Sequence, residues 1–334
     1  MEGFNEKTIK VSRGFTYRYY VSGGTQKVDP NLPSLLFCHG WPDDARLWEK
    51  MSVYLRELPF NLIIPDLLGY GGTDKPADPT QYRHDLVSKD LTEILDVEKV
   101  SKVIVVGHDW GAAVASRLLN YYPERVVGLI LLNVAYLPPS KTKFDLDSVN
   151  ELTKGLFGYP IYQYWHFFTS PEAPALLKSK VDRLYSALHA QGESSMKDFF
   201  TNGNAFPEYL NSSSPMPEVR AYAQDPAFRK YFIDRLGNDG FVGAQNYYVA
   251  TKNNIQFECD SQIPEKNYYV KVPHLFIGCD GDAVCRPEML EASRPYLKDL
   301  EAAPIVHCAH WSPYEAPKEM TKPIVDWLER KFLS

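Results

Sequence analysis

The sequence predicts an α/β architecture, a mostly parallel sheet with helices on both faces, and three observations carry that prediction. Short β-rich or apolar runs alternate with amphipathic helical stretches, as expected of a parallel sheet buried on both sides. One of these runs, Val103-Ile104-Val105-Val106, leads directly into Gly107-His108-Asp109-Trp110-Gly111 and then into the small-residue helical stretch Gly111-Ala112-Ala113-Val114-Ala115. The alternation also stops between about Leu137 and Glu265 and resumes afterwards, so a helical segment is inserted into an otherwise regular core.

Taken in order, the chain opens with a hairpin expected around Thr8–Ser22, where aromatic and β-branched residues dominate. The apolar strand Ser34–Cys38 follows, then a helix near Ala45–Glu57 and the strand Asn61–Pro65. A helix at about Leu86–Leu95 leads to the strand before Asp109, and Val126–Leu132 forms the next strand. From 137 to 265 the composition turns to helix formers, aromatics and Pro/Ser/Asn-rich connections such as Asn211-Ser212-Ser213-Ser214-Pro215, which reads as a helical cap. Strands are expected again at His274–Ile277 and Pro304–Val306, with a last helix near Lys318–Lys331. The predicted organisation is therefore a core made of residues 1–136 and 266–334, with the insertion 137–265 over the carboxyl ends of its strands, where open α/β sheets bind ligands.

Composition narrows the function. At 334 residues, with 44% hydrophobic and 23% charged residues, the chain can bury a sizeable core, and no apolar run is long enough to span a membrane. Met1–Glu6 has neither a basic start nor an apolar core, and the chain does not end in Ser-Lys-Leu, so the expected compartment is the cytoplasm. A net charge of −6 leaves no clustered basic footprint for nucleic acid or anionic lipid, and a small substrate is expected. The five cysteines are odd in number and lack a Cys-x-x-Cys pair, which reads as reduced thiols. Cys285, His307, Cys308 and His310 show no paired zinc spacing, so no metal is expected.

The strand–turn–helix at Asp109 has the form of a nucleophile elbow, in which flanking glycines let a sharp turn present a side chain. Such elbows usually carry serine. A serine attacking a saturated carbon would become an ether that water does not cleave, whereas a carboxylate becomes a hydrolysable ester. Asp109 thus points to displacement at an sp³ carbon followed by ester hydrolysis; the structural alternative is an Asp that merely caps the next helix. An acid and a histidine are expected on loops after late strands. Gly278-Cys279-Asp280-Gly281-Asp282 and His307-Cys308-Ala309-His310-Trp311 supply them. His310 with Asp282 is the assignment, and from spacing alone His307 and Asp280 stand almost level with it. The segment His39-Gly40-Trp41-Pro42 follows the first long strand, where one oxyanion-hole donor is drawn, so the N–H groups of Trp41 and Trp110 are the candidates. His39 and His108 read as hydrogen-bonded structural histidines; His39, together with Pro42 and Trp165, is placed at the substrate pocket. Between Phe157 and Phe168 the insertion carries seven aromatics in twelve residues, including Tyr162, and a second cluster holds Tyr247 and Tyr248. Tyrosine is a weak acid suited to protonating a departing alkoxide, although most such residues are core.

Together, Gly-His-Asp-Trp-Gly, His-Gly-Trp-Pro, the loop around Asp282 and Cys-Ala-His310-Trp, on a core split by a cap, resemble the soluble epoxide hydrolases of the α/β-hydrolase superfamily, from about Val11 to Leu328. The resemblance implies an α/β-hydrolase fold, no cofactor, and conversion of a small apolar epoxide to a vicinal diol. It implies two cap tyrosines that bind and protonate the epoxide oxygen: Tyr162, in Tyr162-Gln163 after Pro160, and Tyr248, after Gly240-Phe241-Val242-Gly243-Ala244-Gln245-Asn246-Tyr247. It also favours Asp282 and His310 as the acid and the histidine. Trp41 departs from the family, which often has Phe there. The rival readings are a haloalkane dehalogenase with Trp110 and Trp165 as halide donors, and a ligand-binding receptor on the same fold with little turnover.

Overall fold

The structure is a computed structural model that describes residues 1–24, 26–192 and 194–334. Eight strands form one sheet in the order β1 (Phe4–Lys10), β2 (Thr16–Ser22), β4 (Leu62–Pro65), β3 (Ser34–Cys38), β5 (Val103–His108), β6 (Val126–Leu132), β7 (Val270–Ile277), β8 (Leu297–Ala302). β1 pairs antiparallel with β2 and β2 with β4, and the remaining pairs are parallel. All of β3 and β5 is buried, which explains why these strands read as unbroken apolar runs rather than alternating ones.

From β3 the chain moves to one side, to β4, and then returns to place β5 on the other. The carboxyl ends of β3 and β5 thus flank the point where strand order reverses, and a crevice opens there. The loops that leave those two strands carry His39–Asp44 and Asp109.

Helices cover both faces. They include α1 (Glu49–Leu55), α2 (His84–Val97), α3 (Trp110–Tyr121) and the C-terminal Pro317–Leu328, with Trp48 and Trp327 wholly buried. Between β6 and β7 the described residues form helices and turns, from Leu146–Phe157 to Ile255–Asp260, with only an isolated bridge, Ala190 to Val219, between extended residues. Many of their buried side chains are aromatic, Tyr164, Trp165, Phe168, Phe200, Phe206 and Tyr248 among them, and they form one continuous core with the sheet.

One strand falls elsewhere than expected. β8 is Leu297-Lys298-Asp299-Leu300-Glu301-Ala302, and Pro304–Val306 makes only a single bridge, Val306 to Cys279. β8 lies at the sheet's edge, where half the strand faces water and charges are tolerated, so its apolar signal is weak. The C-terminal helix begins at Pro317, where proline suits the first turn.

Candidate active site

Asp109 occupies the turn between β5 and α3 with φ 54° and ψ −129°, a conformation that non-glycine residues rarely adopt. Its neighbours leave no space for larger residues. A Cβ on Gly111 would lie 2.0 Å from the carbonyl oxygen of Cys38, and one on Gly40 would lie 2.2 Å from Asp109 Oδ1. The strand–helix crossing is therefore tight enough to hold the carboxylate in one place. Asp109 makes no side-chain cap to its helix, which removes the capping alternative.

The Trp41 backbone N–H donates to Asp109 Oδ1 at 2.7 Å. On the other side, His310 Nε2 stands 3.5 Å from Asp109 Oδ2, while His310 Nδ1 bonds Asp282 Oδ2 at 2.7 Å. Asp282 is fully buried and fixed by four donors. The backbone N–H groups of Val284 and Cys285 reach Oδ1 at 3.0 and 2.8 Å, and Asn133 Nδ2 and His310 reach Oδ2. Burial opposes the carboxylate's charge, but His310 and these donors outweigh it and hold the Asp282 pKa at about 2. Burial likewise opposes the His310 imidazolium. Asp282 and Asp109, one on each side, raise its pKa well above the ordinary histidine range.

The other pair that the sequence left open is elsewhere. His307 bonds Asp280 on the surface, with 90% of its side chain exposed, and does not approach Asp109. His39 is buried, its Nδ1 donating to the Gly40 carbonyl and its Nε2 accepting from Leu67 N–H, and burial lowers its pKa to about 4. It lines neither cavity beside Asp109 and acts as a neutral brace for the loop. His108 Nε2 donates to the His310 backbone carbonyl at 2.7 Å and so ties the loop after β5 to the loop that carries His310. Pro42 lies off both cavity walls, its carbonyl accepting from Arg235.

A cavity of about 210 Å³ opens from Asp109 and is lined by Trp110, Tyr162, Tyr164, Trp165 and Cys285 among others. A smaller recess on the other side of Asp109 is lined by Trp41, Tyr164, Tyr248 and His310. Tyr162 and Tyr248 thus approach Asp109 from different recesses, and Tyr164 faces both. Tyr164 and Tyr248 meet edge to face, ring centroids 5.9 Å apart, and Tyr248 packs edge-on against Trp110 at 4.9 Å. Burial first, and the nearby Asp109 charge as well, raise the pKa of all three hydroxyls, so each keeps its proton and can donate it in a hydrogen bond. Tyr247 is not of this set, because its hydroxyl is committed to the Leu68 carbonyl.

Sequence reasoning missed Tyr164 as a wall of both recesses, and Asn133. Asn133 has φ 64°, a left-handed conformation that asparagine tolerates, and its Oδ1 accepts from Ser312 while its Nδ2 serves Asp282. An asparagine directly after a strand was the available signal. Of the metal-ligating candidates, Cys308 Sγ lies 3.4 Å from Cys279 Sγ and His307 points to Asp280, so these two stand apart from Cys285 and His310, whose donor atoms lie within 4.8 Å of each other and of Asp109.

Residues 33–317 match the alpha/beta hydrolase fold family. The chain belongs to the alpha/beta hydrolases. It is 24% identical over 298 residues to Bifunctional epoxide hydrolase 2 of Mus musculus, covering 89% of this chain and 52% of that protein. It is 25% identical over 326 residues to Epoxide hydrolase srdG of Neurospora crassa, covering 96% and 93%. The chain thus spans about half the length of the mouse relative and nearly all of the Neurospora one. Among solved structures, Epoxide Hydrolase A from Mycobacterium thermoresistibile superposes with a TM-score of 0.79 at 23% identity, over 98% of both chains. In this alpha/beta hydrolase an aspartate, Asp109, stands in the turn between β5 and α3. Among the described residues no helix is long and apolar enough to cross a membrane.

Proposed function

We propose that this alpha/beta hydrolase opens small apolar epoxides to vicinal diols through an alkyl ester on Asp109. The observation that carries this reading is a carboxylate at the elbow, with a histidine–carboxylate pair on one side and proton-bearing tyrosines on the walls around it. The full-length relatives named as epoxide hydrolases support it.

Ring opening needs an attacking carboxylate and a proton donor for the oxygen that departs as an alkoxide. Asp109 supplies the first. Tyr162 and Tyr248 supply hydroxyls that hold and protonate the oxygen, with Tyr164 as a third within the same space. While Asp109 is an anion, His310 lies between two carboxylates and is held as imidazolium, which cannot act as a base. Esterification removes one of those charges. The imidazole then gives up its proton, which makes good the one the tyrosines passed to the epoxide oxygen, and accepts another from the water that attacks the ester. Asp282 fixes the ring through Nδ1 and stabilises the imidazolium that re-forms. The Trp41 N–H, joined by that of Trp110, faces the oxyanion of the tetrahedral intermediate. The segment 137–265 acts as a cap that supplies the tyrosines and the apolar walls. A cytoplasmic setting goes with the five free cysteines.

Diol release from an aryl epoxide, measured beside bromide release from a bromoalkane, tests the proposal. Diol without bromide supports it. Bromide alone, with Trp110 and Trp165 Nε1, which has no partner among the described residues, as halide donors, would replace it with a dehalogenase, and neither product would favour a receptor.

A further inference from the structure

Asp282 orients more than the histidine. Its Oδ1 accepts the backbone N–H groups of Val284 and Cys285 at 3.0 and 2.8 Å, so the loop leaving β7 curls around the carboxylate and sets Cys285 on the wall of the larger cavity. Its Oδ2 holds His310 Nδ1 at 2.7 Å. Asp109, Cys285 and His310 are thereby gathered: a carboxylate oxygen, a thiol sulfur and a ring nitrogen that all lie within 4.8 Å of one another. They come from three loops, after β5, β7 and β8, which is why no short spacing in the sequence announces the set.

Oxygen, sulfur and nitrogen at such distances make a donor set for a metal ion. Bonds of about 2.0–2.3 Å to zinc place tetrahedral ligands roughly 3.5 Å apart. Asp109 Oδ2 and His310 Nε2 already stand 3.5 Å from each other. The sulfur, on a half-buried side chain that swings about one bond, has at most about 1.3 Å to close, the difference between 4.8 and 3.5 Å. The histidine is held as zinc ligands are held, with Nδ1 bonded to a carboxylate and Nε2 turned to the other side, here toward Asp109. Charge balances as well. An entering divalent ion displaces one proton from His310 Nε2 and one from the Cys285 thiol, so two positive charges leave as two arrive and the site gains no net charge. The sulfur decides which ion fits, because magnesium and calcium take oxygen ligands and thiolates suit softer cations.

We propose that Asp109, Cys285 and His310 form a binding site for a thiophilic divalent cation of the zinc class, and that the bound ion shuts the enzyme off. It occupies the attacking carboxylate and the base together, so ion and epoxide exclude each other. Loss of turnover rests on the epoxide-hydrolase reading; binding does not.

The test is titration of the metal-free protein with zinc, followed by calorimetry, and with cobalt, followed by absorbance. One zinc ion should bind per chain with a Kd of about 1 µM or below. Diol formation should fall in parallel and recover as epoxide is raised, and magnesium or calcium at the same concentration should have neither effect. Cobalt should give the near-ultraviolet charge-transfer band of a thiolate–cobalt bond. Cys285→Ser and Cys285→Val, each compared with its own metal-free rate, should lose the band and bind zinc roughly a hundredfold more weakly, about the share of one ligand in a four-ligand zinc site. Cys308→Ala, which breaks up the other close pair of thiols, should keep the band. Absence of zinc binding in the micromolar range, a band that survives both Cys285 substitutions, or inhibition that epoxide does not relieve overturns the proposal. Should both variants misfold, the native protein still decides: binding without the thiolate band, or without slowing a working enzyme, overturns it. Zinc binding with the band in a protein that forms no diol would sink the enzymatic reading and leave the metal site standing.

Discussion

Replacing Asp109 by asparagine imitates the charge, though not the bond, of the alkyl ester, and this isolates the step on which turnover depends. Asp109 Oδ2 lies 3.5 Å from His310 Nε2, and the two side chains are 12% and 4% exposed. Coulomb's law at that separation gives about 5 kcal/mol at an effective dielectric of 20 and about 1 kcal/mol at the dielectric of water. Asp109→Asn should therefore weaken the proton affinity of His310 by between roughly tenfold and several-thousand-fold. The assay is titration of the His310 ring by ¹⁵N NMR in the native protein and the variant. The native imidazolium should persist through neutral pH and lose its proton at lower pH in the variant. Superimposable titrations would refute the claim that esterification switches His310 from acid to base, and the base would then have to be sought elsewhere.

Asn133→Ala removes one of four donors to Asp282 and a residue suited to left-handed backbone, so kcat/KM should fall about tenfold to a hundredfold, as steady-state kinetics would reveal. Tyr162→Phe and Tyr248→Phe, compared with Tyr164→Phe by single-turnover alkylation, should slow alkylation while Tyr164→Phe stays near native; native rates in all three would remove tyrosine from the mechanism. The His310–Asp282 pair has a pH window that urea unfolding can map. Asp282, held at about 2, adds stability that is present above its unfolded pKa of about 3.9 and is lost as pH falls through 2. His310, raised, adds stability that is present below its unfolded pKa of about 6.5 and is lost as pH climbs through its folded value. Asp282→Asn should thus cost most between about pH 4 and 6.5, on the order of 3 kcal/mol, and less outside it. Gly111→Ala sets a methyl group 2.0 Å from the Cys38 carbonyl, and the expected outcome is loss of soluble folded protein, read by circular dichroism.

Much of the site was legible because its determinants are local. The elbow needs an apolar strand, two glycines and a small-residue helix within a dozen positions, and those positions alone identify Asp109. Trp41 was legible for the same reason, since a loop after β3 is bound to lie beside β5 once the strands are parallel neighbours. The strand at Leu297–Ala302 was not legible, because an edge strand half in water has no need of the apolar pattern by which strands are recognised.

By itself the sequence determined the α/β architecture, the interruption of its alternation near residue 137 and the aspartate at the tight turn after β5, all consequences of side-chain type along short stretches. Tertiary structure places His310, the histidine the sequence reading assigned, beside Asp109 and leaves His307 on the surface, and it alone decided that Tyr164 shares the space of Tyr162 and Tyr248 and that Asn133 holds Asp282. Each of those facts depends on where loops far apart in the chain come to rest, and their distances follow from packing that no local pattern encodes.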